Sequence, residues 1–217
     1  MIILAYILLR MLLGGSPATV KGEALINAHW GFSDWVCVKD MDGIKLLERW
    51  VRVNDTLKVR ERKGEMIVEC SMQEAVSYLA DYSTVKQWMK GLKSIELQDE
   101  DRKLIYMVIK LPWPFIDRDL FARYSLYKLD KENSVVKVES ERNVQAPNSR
   151  LVRISNYRAS WNVQRISSNR TKVVFTTFSS EPPIFPQWIQ EPVLKRIFYG
   201  NLKRLKDQLS GRAKHNI

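Results

Sequence analysis

Apolar residues recur at every second position through most of this chain and at helical spacing near its end. Trp35–Lys39, Ile44–Val53 and Leu57–Glu61 read as three strands, the third extendable through Arg62–Ile67. Asp40-Met41-Asp42-Gly43 and Asn54-Asp55 supply the turns between them. Ser71-Met72-Gln73-Glu74 is a capping box, so a helix follows, with Ala75, Leu79 and Tyr82 near helical spacing. Ser83 is placed to cap a second short helix, Thr84–Met89, which Gly91 ends. Six more strands follow, at Ser94–Asp99, Lys103–Leu111, Arg118–Leu129, Val135–Arg142, Leu151–Ser167 and Lys172–Ser179. Their turns fall at Asp99–Asp101, Asp130–Asn133, Ala146–Asn148 and Ser167–Asn169. After Pro186 one long helix carries Val193, Leu194, Ile197, Phe198, Leu202, Leu205 and Leu209 as an apolar stripe. Its other face carries Lys195, Arg196, Lys203, Arg204 and Lys206. Residues 19–33 are weakly amphipathic, with helical spacing at Glu23–His29. The pattern predicts an α+β domain over residues 19–210: a curved antiparallel sheet of about nine strands with a long helix across it. Such a sheet has more concave apolar surface than one helix fills, so it encloses a space.

Strand alternation selects the faces that line this space. Leu120, Ala122, Tyr124 and Leu126 share an uncharged face, assigned inward, while Phe121, Arg123, Ser125 and Tyr127 share the other. Tyr157, Ala159, Trp161 and Val163 share a face of the eighth strand. On Lys103–Leu111, Tyr106 and Val108 compete with Met107 and Ile109, and alternation does not decide; Tyr106 and Val108 are carried as candidates. Phe175 of the last strand and Ile197, Phe198 and Leu202 of the last helix complete the candidate cavity wall.

The segment Leu111-Pro-Trp-Pro-Phe-Ile-Asp-Arg-Asp119 is apolar, stiffened by two prolines, and lies between two strands. Pro112, Trp113, Pro114, Phe115 and Ile116 form a candidate gate over the space. Arg118 and Asp119 read as an anchor for the next strand, with Arg118 expected to ion-pair with Asp117, Asp119 or a helix end.

Composition narrows the function classes. Hydrophobic residues make up 45% of 217 residues, enough for one domain with a sizeable core. The net charge of +11 points to an anionic partner. From Gln187 to Ile217 there are seven Lys/Arg against two Asp/Glu, which suits docking of Lys195, Arg196, Lys203 and Arg204 on an anionic membrane. Residues 211–217 form a basic tail. No zinc-finger spacing or RNA-recognition signature accompanies the charge, so a nucleic-acid partner is not expected. The two His, His29 and His215, lie near the ends, and no metal site or catalytic constellation assembles. Cys37 and Cys70 read as buried free thiols. Residues 1–18 are similar to an export signal, with Ser16-Pro17-Ala18 at a cleavage site; an ordinary N-terminal helix is the alternative. Export would place the protein in a periplasmic or secreted compartment, and otherwise it is cytoplasmic.

Four motifs in order resemble the START (steroidogenic acute regulatory-related lipid transfer) domain, a helix-grip fold. Asp42-Gly43-Ile44-Lys45 with Glu48-Arg49 is similar to its D-G-I-x-x-x-x-R strand pair. Pro112–Asp119 resembles its P-x-P-x-x-x-R-D loop, Trp161 its G-x-W strand with Ala159 in place of Gly, and Ile184–Ile189 its I-P-x-W-L helix entry. The resemblance implies one lipid-like molecule carried between the sheet and the last helix, with no cofactor, and the chain is expected to be a monomer. It also implies an entrance gated by that helix and Leu111–Ile116. Two departures stand out. Glu181-Pro182-Pro183-Ile184 replaces D-P-G-G, and Tyr124 stands where several carriers place an interior Arg. The alternative function for the same cavity is a polyketide aromatase/cyclase, and a third is a basic nucleic-acid-binding protein.

Overall fold

The computed structural model describes residues 31–142, 144, 151–181 and 185–212. The export segment, the helix at Glu23–His29, the turn at Ala146–Asn148 and the tail beyond Arg212 lie outside the described residues. The strands are β1 (Gly31–Phe32), β2 (Val36–Met41), β3 (Ile44–Arg52), β4 (Lys58–Val68), β5 (Leu92–Asp99) and β6 (Leu104–Ile109). They continue with β7 (Arg118–Lys128), β8 (Asn133–Ser140), β9 (Val152–Arg153), β10 (Tyr157–Ser167) and β11 (Arg170–Ser179). Between β4 and β5 lie α1 (Met72–Ala80), a 3-10 turn (Tyr82–Thr84) and α2 (Val85–Trp88); α3 (Gln187–Arg212) follows β11. All eleven strands join one sheet, ordered β1-β3-β4-β11-β10-β8-β7-β6-β5, with β2 on β3 and β9 on β7. The β7–β9 pair is parallel and the others are antiparallel.

Local chemistry explains most element ends. Asp42 (φ 56°) and Gly43 (φ 66°) form the two-residue β2–β3 turn, where positive φ favours Asp-Gly. The capping box closes as expected: the Glu74 amide donates to Ser71 Oγ (3.2 Å) and the Ser71 amide to Glu74 Oε2 (2.9 Å). The second helix differs from expectation. Asp81 Oδ1 accepts from the Ser83 amide (2.8 Å), so Asp81 is the cap and Ser83 lies inside the turn. The predicted strand Leu151–Ser167 is broken after Arg153. There the Ser155 and Asn156 amides turn to Glu181 Oε1 (2.7 and 3.0 Å) instead of a neighbouring strand. Cys70 is buried, but Cys37 is exposed.

The α3 helix lies across the concave face and touches it unevenly. Leu202, Leu205 and Leu209 are at most 2% exposed, whereas Val193, Leu194, Ile197 and Phe198 are half-buried. The tight contact is at Gly64 of β4, where an added Cβ would sit 2.3 Å from Leu202 Cδ1. Polar clasps flank it. Lys203 Nζ reaches Asp42 Oδ2 (2.6 Å), the Tyr199 hydroxyl donates to the same oxygen (3.0 Å), and Lys206 Nζ donates to the Asp42 carbonyl (2.7 Å). The Lys203 ammonium, aided by the Tyr199 hydroxyl, holds the Asp42 carboxyl below its ordinary value. Buried Glu48 accepts from Arg62 Nε (3.2 Å) and forms an ion pair with Lys195 (3.5 Å), and Arg62 also pairs with Glu191 of the helix. Replacing Gly64 by Val forces Leu202 off its seat, so Gly64→Val is expected to cost about 1–3 kcal/mol in urea unfolding. Leu202→Ala in the same background should recover part of that loss.

Candidate functional site

The half of α3 that stands away from the sheet roofs a cavity of about 320 Å³. Its walls come from α2 (Val85, Trp88) and Met89 just after it, β6 (Met107, Ile109) and β7 (Leu120, Tyr124). Val138, Ile154, Tyr157, Ala159, Trp161 and Phe175 form the sheet floor, and Leu194, Ile197, Phe198 and Leu202 the roof. Trp161 and Phe175 are direct cross-strand partners, and their rings stack at 3.7 Å. Phe198 stacks on Phe175 at 5.6 Å, and Trp88 meets Trp161 edge-on at 5.5 Å. This aromatic column props the helix away from the sheet.

Nine of the twelve predicted wall residues line the cavity: Leu120, Tyr124, Tyr157, Ala159, Trp161, Phe175, Ile197, Phe198 and Leu202. Ala122 is fully buried in the core and off the cavity wall. Tyr106 and Val108 are corrections. Residues paired across strands share a face, and the β6–β7 register sets Met107 against Leu120 and Tyr106 against Phe121. Met107 and Ile109 therefore face inward, while Tyr106, Val108, Phe121 and Leu104 form a separate cluster on the far face. Leu126, also assigned inward, lies beyond the cavity and is 44% exposed.

At the gate, only Phe115 of the five predicted residues reaches the cavity wall, together with Leu111. Trp113 is 92% exposed and Ile116 51%, and Pro112 and Pro114 are exposed beside them. The Asp117 side chain closes the loop by accepting the Leu111 amide (3.2 Å), and Phe115 packs on Phe185 before α3 at 4.9 Å. The mouth is thus framed by the loop and the helix entry, where Trp188 is 72% exposed.

The two motif residues part company. Asp119 is buried on the far face, bound by Arg153 Nε and Nη2 (2.8 and 2.9 Å) and by the Tyr106 hydroxyl (3.2 Å). Arg118 does not pair with Asp117 or Asp119. It points to the cavity wall at the mouth, where burial pulls its guanidinium below the ordinary value and Glu181 opposes the shift. The signal was present in the sequence: Arg118 has the same strand parity as Leu120 and Tyr124. Arg60 and Arg62, also on the rim, were not anticipated. Arg60 Nε and Gln190 Oε1 are buried there without a hydrogen-bond partner. Burial pushes the Tyr124 and Tyr157 phenols up, and Tyr157 bonds to Thr177. Among the described residues, no group of three or more His, Cys, Asp or Glu could hold a metal ion.

No family model and no curated protein matches the sequence. Solved structures share the architecture. The STAR-related lipid transfer protein of Xanthomonas axonopodis is 24% identical, with a TM-score of 0.69 over 81% of this chain and 98% of that one. Human StAR-related lipid transfer protein 5 is 13% identical, with a TM-score of 0.68 over 82% and 88%. The chain has the START-like helix-grip fold. The Zhui aromatase/cyclase from Streptomyces sp. R1128 shares a looser version, 14% identical with a TM-score of 0.53 over 71% and 95%. In this helix-grip domain the Asp119–Arg153 pair ties β9 to β7 behind the mouth. Asp119→Ala leaves Arg153 without its carboxylate and is expected to cost about 3 kcal/mol in chemical denaturation.

Proposed function

We propose that this protein binds one hydrophobic, lipid-like molecule in the cavity and carries it between membranes. The observation that carries this reading is an apolar cavity whose wall includes Leu111, Phe115 and Gln187, with exposed Trp113, Ile116 and Trp188 next to them in the same two segments. A lipid chain burying ten methylenes gains about 8 kcal/mol before ordering costs. That is about the free energy of micromolar binding. The START-related lipid transfer proteins of similar fold support the same ligand class.

Exposed tryptophans at a cavity mouth suit the membrane interface, where amphipathic rings settle at headgroup level. The basic face of α3 contributes less to docking than its sequence predicts. Lys195 and Lys203 are turned to Glu48 and Asp42, leaving Arg196 and Arg204 exposed. Docking is therefore proposed to lead with the mouth, with charge as a secondary attraction.

A cyclase reading draws support from the aromatase/cyclase of looser similarity. It requires a proton acceptor in the cavity. Two carboxylates line the cavity, but Glu181 accepts the Ser155 and Asn156 amides and Glu191 is paired with Arg62, while the Tyr124 and Tyr157 phenols are pushed up and stay protonated near neutral pH. That favours a carrier.

Native mass spectrometry of the purified protein should reveal one co-purified lipid-like molecule per chain; an empty cavity that also rejects added lipids would count against the carrier. In vesicle co-sedimentation, Trp113→Ser with Trp188→Ser should weaken binding by about tenfold or more. Undiminished binding by that double variant would move docking away from the mouth.

A further inference from the structure

We infer that the preferred ligand is a single-chain amphiphile whose anionic head, a carboxylate or a phosphate, sits against Arg118 at the cavity mouth. This rests on the cavity-binding reading and names its ligand class. Arg118 begins β7 immediately after the gate loop and lines the cavity. Among the described residues its guanidinium makes no hydrogen bond and no ion pair. The other arginines of the rim each face a carboxylate, although Arg60 Nε has no hydrogen-bond partner. Arg60 and Arg62 lie 3.9 and 3.2 Å from the carboxylate of Glu48, and Arg62 also holds Glu191. Glu181 is the acid that Arg118 feels, yet its Oε1 already accepts the Ser155 and Asn156 amides.

A half-buried guanidinium cannot shed its proton, so its charge persists in a site largely walled by carbon. Leaving that charge uncompensated is costly, and a planar fork of donors matches a carboxylate or phosphate in two parallel hydrogen bonds. A neutral head, such as an alcohol, supplies no countercharge. The tail has its own track. Arg118 and Tyr124 are six positions apart on one strand face, about 20 Å along β7. Leu120, Met107, Ala159 and Trp161 flank that track, and none carries a charge. The volume of about 320 Å³ is at the low end of small-molecule pockets, roughly 300–1,000 Å³, and fits one chain better than two.

The full chain, stripped of co-purified lipid, is titrated with dodecanol, dodecanoate and dodecyl phosphate, read by tryptophan fluorescence because Trp88 and Trp161 line the cavity. The wild type should bind one or both anions about tenfold or more tighter than the alcohol. Whichever anion shows the advantage identifies the head. Arg118→Gln should bring the anions to the alcohol's affinity while leaving the alcohol nearly unchanged, and Arg118→Lys should keep most of the preference. Equal wild-type affinity for all three chains overturns the anionic head but leaves the carrier standing, whether or not any variant folds. A preference that survives intact in Arg118→Gln overturns the role of Arg118. Failure of all three chains to bind overturns the carrier reading itself, since the alcohol needs only the apolar wall.

Discussion

The structure depends on where the C-terminal helix touches the sheet and where it cannot. At Leu202 the helix comes down onto Gly64, a position with no side chain to hold it off. From there to Leu209 its apolar stripe is sealed. Toward its N-terminus the same stripe continues through Phe198, Ile197 and Leu194, but the floor opposite is built of large rings. The Trp161–Phe175–Phe198 column is too tall to allow the close approach that Gly64 permits. Seated at Leu202 and met one turn earlier by the ring of Phe175 under Phe198, the helix leaves a wedge of space beneath its N-terminal half. Gly64, Phe175 and Trp161 stand in one row across neighbouring strands, and the helix meets the glycine at Leu202 and the rings at Phe198.

The polar groups are arranged around that wedge in a consistent way. Ion pairs fix the helix: Asp42 with Lys203, Glu48 with Arg62 and Lys195, and, at the cavity rim, Glu191 with Arg62. They consume much of the positive charge that the helix carries. Asp119 and Arg153 satisfy each other on the far face of the sheet. Arg118 is left at the mouth, on the inner face, because strand alternation turns it away from Asp117 and Asp119 on either side. Two residues of one motif thus have opposite fates: Asp119 is bound by Arg153 on the far face, and Arg118 lines the cavity.

The apolar rim belongs to the same design. The Asp117 bond to the Leu111 amide closes the proline-stiffened loop, on which Trp113 and Ile116 are exposed. Phe115 alone turns in and meets Phe185 at the helix entry. The loop is therefore a hydrophobic collar with one residue as its inner lip.

Much of this was legible in the sequence, because it is encoded locally. Period-two alternation, the Asp-Gly turn, the Ser71–Glu74 box and the long apolar stripe each depend on a few adjacent residues, and together they specify an α+β domain with a helix over a sheet. Alternation also placed Leu120, Tyr124, Ala159 and Trp161 on the inner wall. It could not choose between the two faces of β6, since both are apolar and only pairing with β7 decides which one Leu120 shares. Nor could it show that Lys195 and Lys203 are turned to Glu48 and Asp42, because their partners lie more than a hundred residues away. A side chain's parity is a property of its own strand. What it faces, and whether its charge is answered, is settled by residues that only the folded chain brings together.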